Sequence, residues 1–165
     1  MLLASTGMVR RTRFLSSETA VRGRRSIRKV GVVHGSSLRT AGMFVEFGRI
    51  RSDQPQGSIF DHVREQELPD LARVVGYLEA GHILIDMMDI ADDPFDPAQQ
   101  VMNGSTVMTD GDWLWRKDFA YFVRRHHVAV PEDFLALIRQ RDYAVPAPDV
   151  SVLTACSQEA RRLMF

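Results

Sequence analysis

One tight turn limits what this chain can fold into. Asp110-Gly111 supplies the backbone angles that a hairpin needs, and it stands between Val107-Met108-Thr109 and Trp113-Leu114-Trp115. Trp113 and Trp115 are two apart, so in a strand they share one face while Leu114 takes the other. Both faces of that strand want cover. The expectation is that the tryptophans anchor a core between a sheet and its helices; the competing reading leaves one of them exposed as an interface hot spot.

The rest of the patterning fits an α+β unit. Met43 to Ile50 alternates, with Val45, Phe47 and Arg49 on one face, and predicts a first strand; Asp53 to Ser58 reads as a loop. Leu71, Val74, Val75 and Leu78 recur at helical spacing, which predicts a helix over about 69–80 with Gly81 as a left-handed terminator. Residues 82–88 form a short apolar run that fits a buried strand or a helix continuing the previous one, and Gly81 favours the strand. Asn103-Gly104 predicts a hairpin between Val101-Met102 and Ser105 to Met108. Two further helices are predicted near 117–126 and 131–141, the second with Pro131 in its first turn. The expected fold is therefore a small, mostly antiparallel sheet from segments near 43–50, 82–88, 101–109 and 112–115, covered by three helices. The domain is expected over 43–148, with 149–165 as a tail of weak helical character.

Composition enters because the charge is unevenly placed. The chain of 165 residues is 45% hydrophobic and 25% charged with formal net charge zero, the composition of one soluble globular domain. Residues 1–42 nevertheless carry nine basic side chains against one acid, and the remainder carries twelve against twenty, so a +8 segment precedes a −8 domain. The first segment is rich in Arg, Ser, Thr and Gly, lacks periodic apolar residues, and is expected to be disordered. Arg10-Arg11-Thr12-Arg13-Phe14-Leu15 is followed by Ser16, Ser17 and Glu18 rather than an apolar stretch, so an export signal is not expected. A transit peptide, or contact with nucleic acid or anionic lipid by charge alone, needs residues 1–42 to be translated. The favoured reading is that they belong to a start placed too early, because Met43 opens a patterned segment where the charge bias ends. No apolar run approaches a membrane span, and a single cysteine, Cys156, forms no internal disulfide or CxxC pair.

The string Val107-Met108-Thr109-Asp110-Gly111-Asp112-Trp113-Leu114-Trp115-Arg116-Lys117-Asp118-Phe119-Ala120-Tyr121-Phe122-Val123, followed by Val130-Pro131-Glu132-Asp133-Phe134-Leu135, resembles a pattern of small uncharacterised bacterial proteins: TDG-x-W-x-W, then D-x-x-Y-Y-V, then P-x-x-F. Some of these are toxin-immunity-like. The resemblance spans about 43–145 and brings no catalytic residues. It implies a cytoplasmic, single-domain protein that blocks a toxin by binding it.

Asp86, Asp89, Asp92, Asp93 and Asp96 form the most concentrated acidic run. In a helical register 86, 89, 93 and 96 would share a face, but two prolines break that register and the spacing lacks the D-x-D-x-D-G and final Glu of a calcium loop. No metal site and no cofactor are expected. A solvated acidic loop suits a basic protein partner, since clustered negative charge speeds encounter with a positive surface. The expected function is thus a non-catalytic binding module, possessing Asp89, Asp92, Asp93, Asp96 and Trp113 as its partner-binding residues. The alternative is a small metal-dependent hydrolase built from His82, Asp86, Asp89, Asp110 or His126, and it needs those groups to converge in space. Adjacent His126 and His127 point about 100° apart on a helix and suit a cap better than a shared ion.

Overall fold

The structure is a computed structural model in which residues 38–48, 50–51 and 57–165 are described. The expectations of disorder, targeting or nucleic-acid contact over residues 1–37 lie outside the described residues, as does most of the 53–58 loop. The described residues form one compact unit. Along it run β1 (Arg39–Ala41), α1 (Leu71–Glu79), β2 (His82–Ile85), β3 (Ile90–Asp92), β4 (Gln100–Met102), β5 (Val107–Thr109), β6 (Trp113–Arg116), α2 (Asp118–His126), α3 (Glu132–Gln140) and α4 (Val150–Met164). Single-turn 3-10 helices sit at Val45–Phe47 and Ile59–His62.

The Asp110-Gly111 hairpin is the centre of the fold. Asp110 Oδ1 accepts from the backbone N–H groups of Asp112 and Trp113 at 2.9 and 2.8 Å, and Gly111 takes φ 98°, which a side chain would resist. β5 and β6 thereby pair antiparallel, β2 adds antiparallel outside β5, and β1 adds parallel outside β6, giving the order β1-β6-β5-β2. Alternation along β6 then builds two cores. Trp113 and Trp115 face Tyr77 of α1, Phe119 and Phe122 of α2 and Phe134 of α3, while Leu114 and Val107 face Ala160 and Leu163 of α4. Trp113 stacks on Phe134 with centroids 4.6 Å apart, and each such buried aromatic contributes roughly 1.5–3 kcal/mol by area alone. The α+β class and mostly antiparallel sheet hold, with four helices among the described residues where three were expected.

Four local expectations differ from what the chain does. The first strand lies at 39–41, upstream of Met43 and inside the segment assigned to the leader. Residues 43–48 do not form a strand because Phe44 and Phe47 both belong to the helix-side core, Phe47 stacking on Phe122 at 5.3 Å. Residues three apart meet one face across a turn, not along a strand. Gly81 does not adopt a left-handed angle; a Cβ there would stand 2.3 Å from the Trp115 ring, whose Nε1 donates to Leu78 O at 3.0 Å. Close approach, not helix termination, requires the glycine. Asn103, at φ 54°, does turn the chain, but Val101-Met102 pairs backward with β3 rather than forward with 105–108, so β3 and β4 form a separate ribbon. Finally, the 149–165 tail is α4, the longest described helix, with Cys156, Ala160 and Leu163 buried. No helix among the described residues is long and apolar enough to cross a membrane.

Candidate functional site

Asp92, Asp93 and Asp96 of the acidic run fall on the β3–β4 ribbon and the loop that joins its strands, while Asp86 and Asp89 lie in the connection from β2 to β3. Asp93 and Asp96 shape that loop: Asp93 Oδ1 accepts from Phe95 N–H at 2.8 Å and Asp96 Oδ1 from Ala98 N–H at 3.2 Å, short side-chain bonds typical of aspartate turns. Ile90 pairs with Met102, Ala91 with Val101 and Asp92 with Gln100, whose Nε2 donates to Asp92 Oδ1 at 3.0 Å. Alternation leaves Ile90, Asp92, Gln100 and Met102 exposed and turns Ala91 inward, where it meets Gly104.

The five residues expected to bind a partner do not share one fate. Asp92 is exposed; Asp89 is half-buried and accepts from Ser105 N–H at 3.3 Å; Asp96 is half-buried and lies 3.4 Å from Arg125. Asp93 is 2% exposed and faces the protein, its Oδ2 accepting from Tyr121 OH at 2.8 Å and His126 Nε2 at 2.7 Å. Trp113 is 3% exposed, enclosed by Phe134 on one side and the Arg39 guanidinium 4.2 Å from its ring on the other. The hot-spot expectation for Trp113 is therefore corrected to a core role, and Asp93 fastens the loop to α2.

The groups named for a hydrolase go to separate partners. His82 Nε2 donates to Pro146 O at 2.8 Å, while Asp86 accepts from the Thr106 hydroxyl at 3.4 Å. Asp110 Oδ2 accepts from Tyr77 OH and Arg141 Nη1, both at 2.6 Å. Burial, reinforced by the bond to Asp110, raises the Tyr77 phenol well above its ordinary range, so it stays a donor. Burial also pushes the Cys156 thiol up, and its Sγ faces Gly111 O. Among the described residues no group of three His, Cys, Asp or Glu is placed to hold a metal ion.

A groove of about 460 Å³ runs beside β3. Asp89, Ile90 and Asp92 line it together with Glu46, Phe47 and Arg116. Burial acts to raise the Glu46 carboxyl, but bonds from Ser58 OH at 2.5 Å and Ile59 N–H at 3.1 Å outweigh it and hold the group below its ordinary value. Arg116 is 5% exposed, lies 4.4 Å over the Phe47 ring, and is neutralised by Asp118 through Nε at 3.0 and 3.2 Å and Nη2 at 2.5 Å. Burial drives the Asp118 carboxyl up against the pull of this arginine. The groove therefore presents three carboxylates over an internally balanced ion pair. Sequence reasoning missed Glu46, Phe47 and Arg116, because Glu46 sits in a segment read as strand and the groove joins residues far apart in the chain. Comparison with known proteins finds no matching family model, no matching curated protein and no matching solved structure.

The Asp93 fastening has a pH signature. Burial alone would raise Asp93, yet the bonds from His126, Phe95 N–H and Tyr121 bring its pKa below the ordinary value; Asp70 is depressed further by Arg139 and Tyr143. A carboxyl depressed on folding adds stability that is full above its unfolded pKa and is lost as pH falls through the folded one. Urea midpoints are thus expected to decline as pH drops below about 4, the ordinary aspartate value. Asp93→Asn should be less stable near neutrality and show a shallower acid decline. An unchanged slope would remove Asp93 from the set of groups responsible.

Proposed function

We propose that this protein is a non-catalytic binding module whose β3–β4 ribbon engages a basic protein partner. One observation carries the reading: exposed acids stand beside exposed apolar side chains. Met88 is 94% exposed, Met102 67% and Ile90 56%, and Asp86 and Asp92 are exposed within the same stretch. Apolar groups rimmed by charge favour association, because the apolar centre contributes affinity and the rim contributes encounter rate and specificity. The 107–135 string resembles small uncharacterised bacterial proteins, some of them toxin-immunity-like, and that likeness would make a toxin with a cationic surface the partner.

The test is affinity capture from native-host lysate on the tagged full chain, with Asp89→Asn/Asp92→Asn run in parallel and bound proteins identified by mass spectrometry. Asn keeps the acceptor oxygens, so the ribbon stays intact while two charges are removed. A basic protein should be retained by the parent, fall at least about tenfold on the variant, and be released by salt once charge is screened. Equal retention by parent and variant, or retention of no basic protein at low salt, sinks the proposal.

A further inference from the structure

The ribbon's hydrogen bonds decide which backbone groups face outward. Asn103 N–H donates to Asp89 O at 2.8 Å and Asp93 N–H to Gln99 O at 3.2 Å, so 89/103 and 93/99 are hydrogen-bonded pairs of the ladder. In an antiparallel pair such positions alternate with non-bonded ones, which places 91/101 among the bonded pairs and 90/102 and 92/100 between them. The N–H and C=O groups of Ile90 and Asp92 consequently point away from β4, and no described residue's backbone bonds to them. Ile90 and Asp92, which carry that open edge, line the same groove as Glu46 and Phe47.

We propose that the occupant of this groove is an extended basic segment of the partner protein, added as a third strand to the outer edge of β3. This rests on the binding function proposed above and specifies its mode. Strand addition uses main-chain bonds for affinity and alternate side chains for selection. On the inward side of the added strand the groove offers the carboxylates of Asp89 and Glu46, so that side takes arginine or lysine. On the outward side it lies beside exposed Ile90, which takes an apolar residue, with Asp92 near enough for a further cation. Arg116 does not repel such a segment because Asp118 balances it. Charge complementarity therefore selects a cationic strand with apolar residues at alternate positions, in preference to an acidic strand or a second copy of this acidic unit.

The probe is a capped peptide of alternating arginine and valine, titrated into the full chain by calorimetry and by amide NMR. Companion peptides carry N-methyl groups either on every arginine amide or on every valine amide, and a control alternates glutamate and valine. Strand addition pairs only one edge of the peptide. One methylated isomer should lose at least about tenfold in affinity while the other binds like the parent peptide, and the Ile90 and Asp92 amides should gain exchange protection. If both isomers behave alike while Asp89→Asn/Asp92→Asn still weakens the parent peptide, the edge pairing is overturned and the acidic binding surface stands. If the glutamate peptide binds as well as the arginine peptide, both fall.

Discussion

Asp118→Ala should cost about 3–5 kcal/mol of stability, read as a large drop in urea midpoint. The reason is what the substitution leaves behind. Arg116 keeps its charge at 5% exposure, and the acceptors of its Nε and Nη2 groups vanish together. An unpaired buried guanidinium forfeits both hydration and partner, whereas the intact pair recovers most of its desolvation cost in short, charge-assisted bonds. Removing the orphan charge as well, with Arg116→Met added to Asp118→Ala, is expected to restore part of the loss, because an apolar pair needs no acceptor. Charge imbalance and lost packing are separated by that comparison. A single variant costing under about 1 kcal/mol would show that the pair contributes no more than a surface bridge.

The parts of this fold that were legible are those whose signal is local. α1, α2 and α3 follow from apolar residues at helical spacing, and the β5–β6 hairpin follows from Asp110-Gly111, since a tight turn depends on its own residues. The parts that were not legible depend on distant partners. β1 is Arg39-Thr40-Ala41, which has no apolar alternation, and it is a strand because β6 offers it an edge. α4 places Val152, Cys156, Ala160 and Leu163 on one stripe, but three of the four are small or weakly apolar, so the pattern is muted until Leu114 and Val107 are seen to need cover. The acidic run shows the same division for the site. Asp92 and Asp93 are neighbours of identical chemistry, yet a strand sends them to opposite faces, and only Tyr121 and His126, 28 and 33 residues away, make Asp93 an interior group. Trp113 was ambiguous for a related reason, since a tryptophan reads alike whether a core or a partner covers it.

A chain beginning at Met43 is expected to be less stable than the full chain and to self-associate. Such a chain lacks β1, whose Ala41 is 2% exposed and whose Arg39 guanidinium covers Trp113 and pairs with Asp133 across to α3. Leu38, packed against the α4-side cluster, goes with it. The lost burial, cation–π contact and strand bonds together amount to about 3 kcal/mol, the ion pair adding little because both partners are half-exposed. The larger consequence is topological. β6 lies between β1 and β5, with all four of its residues buried. Without β1 it becomes an edge strand carrying Trp113, Leu114 and Trp115, the long apolar edge that natural sheets avoid exposing. Thermal melting should shift downward by several degrees, and size-exclusion chromatography should show concentration-dependent association absent from the full chain. If the shortened chain instead melts with the full chain and stays monomeric, β1 is dispensable and the stable unit starts at Met43. Leu38 to Ala41 would then be an accessory strand, and the buried arrangement of Trp113 would have to be maintained from the α3 side alone.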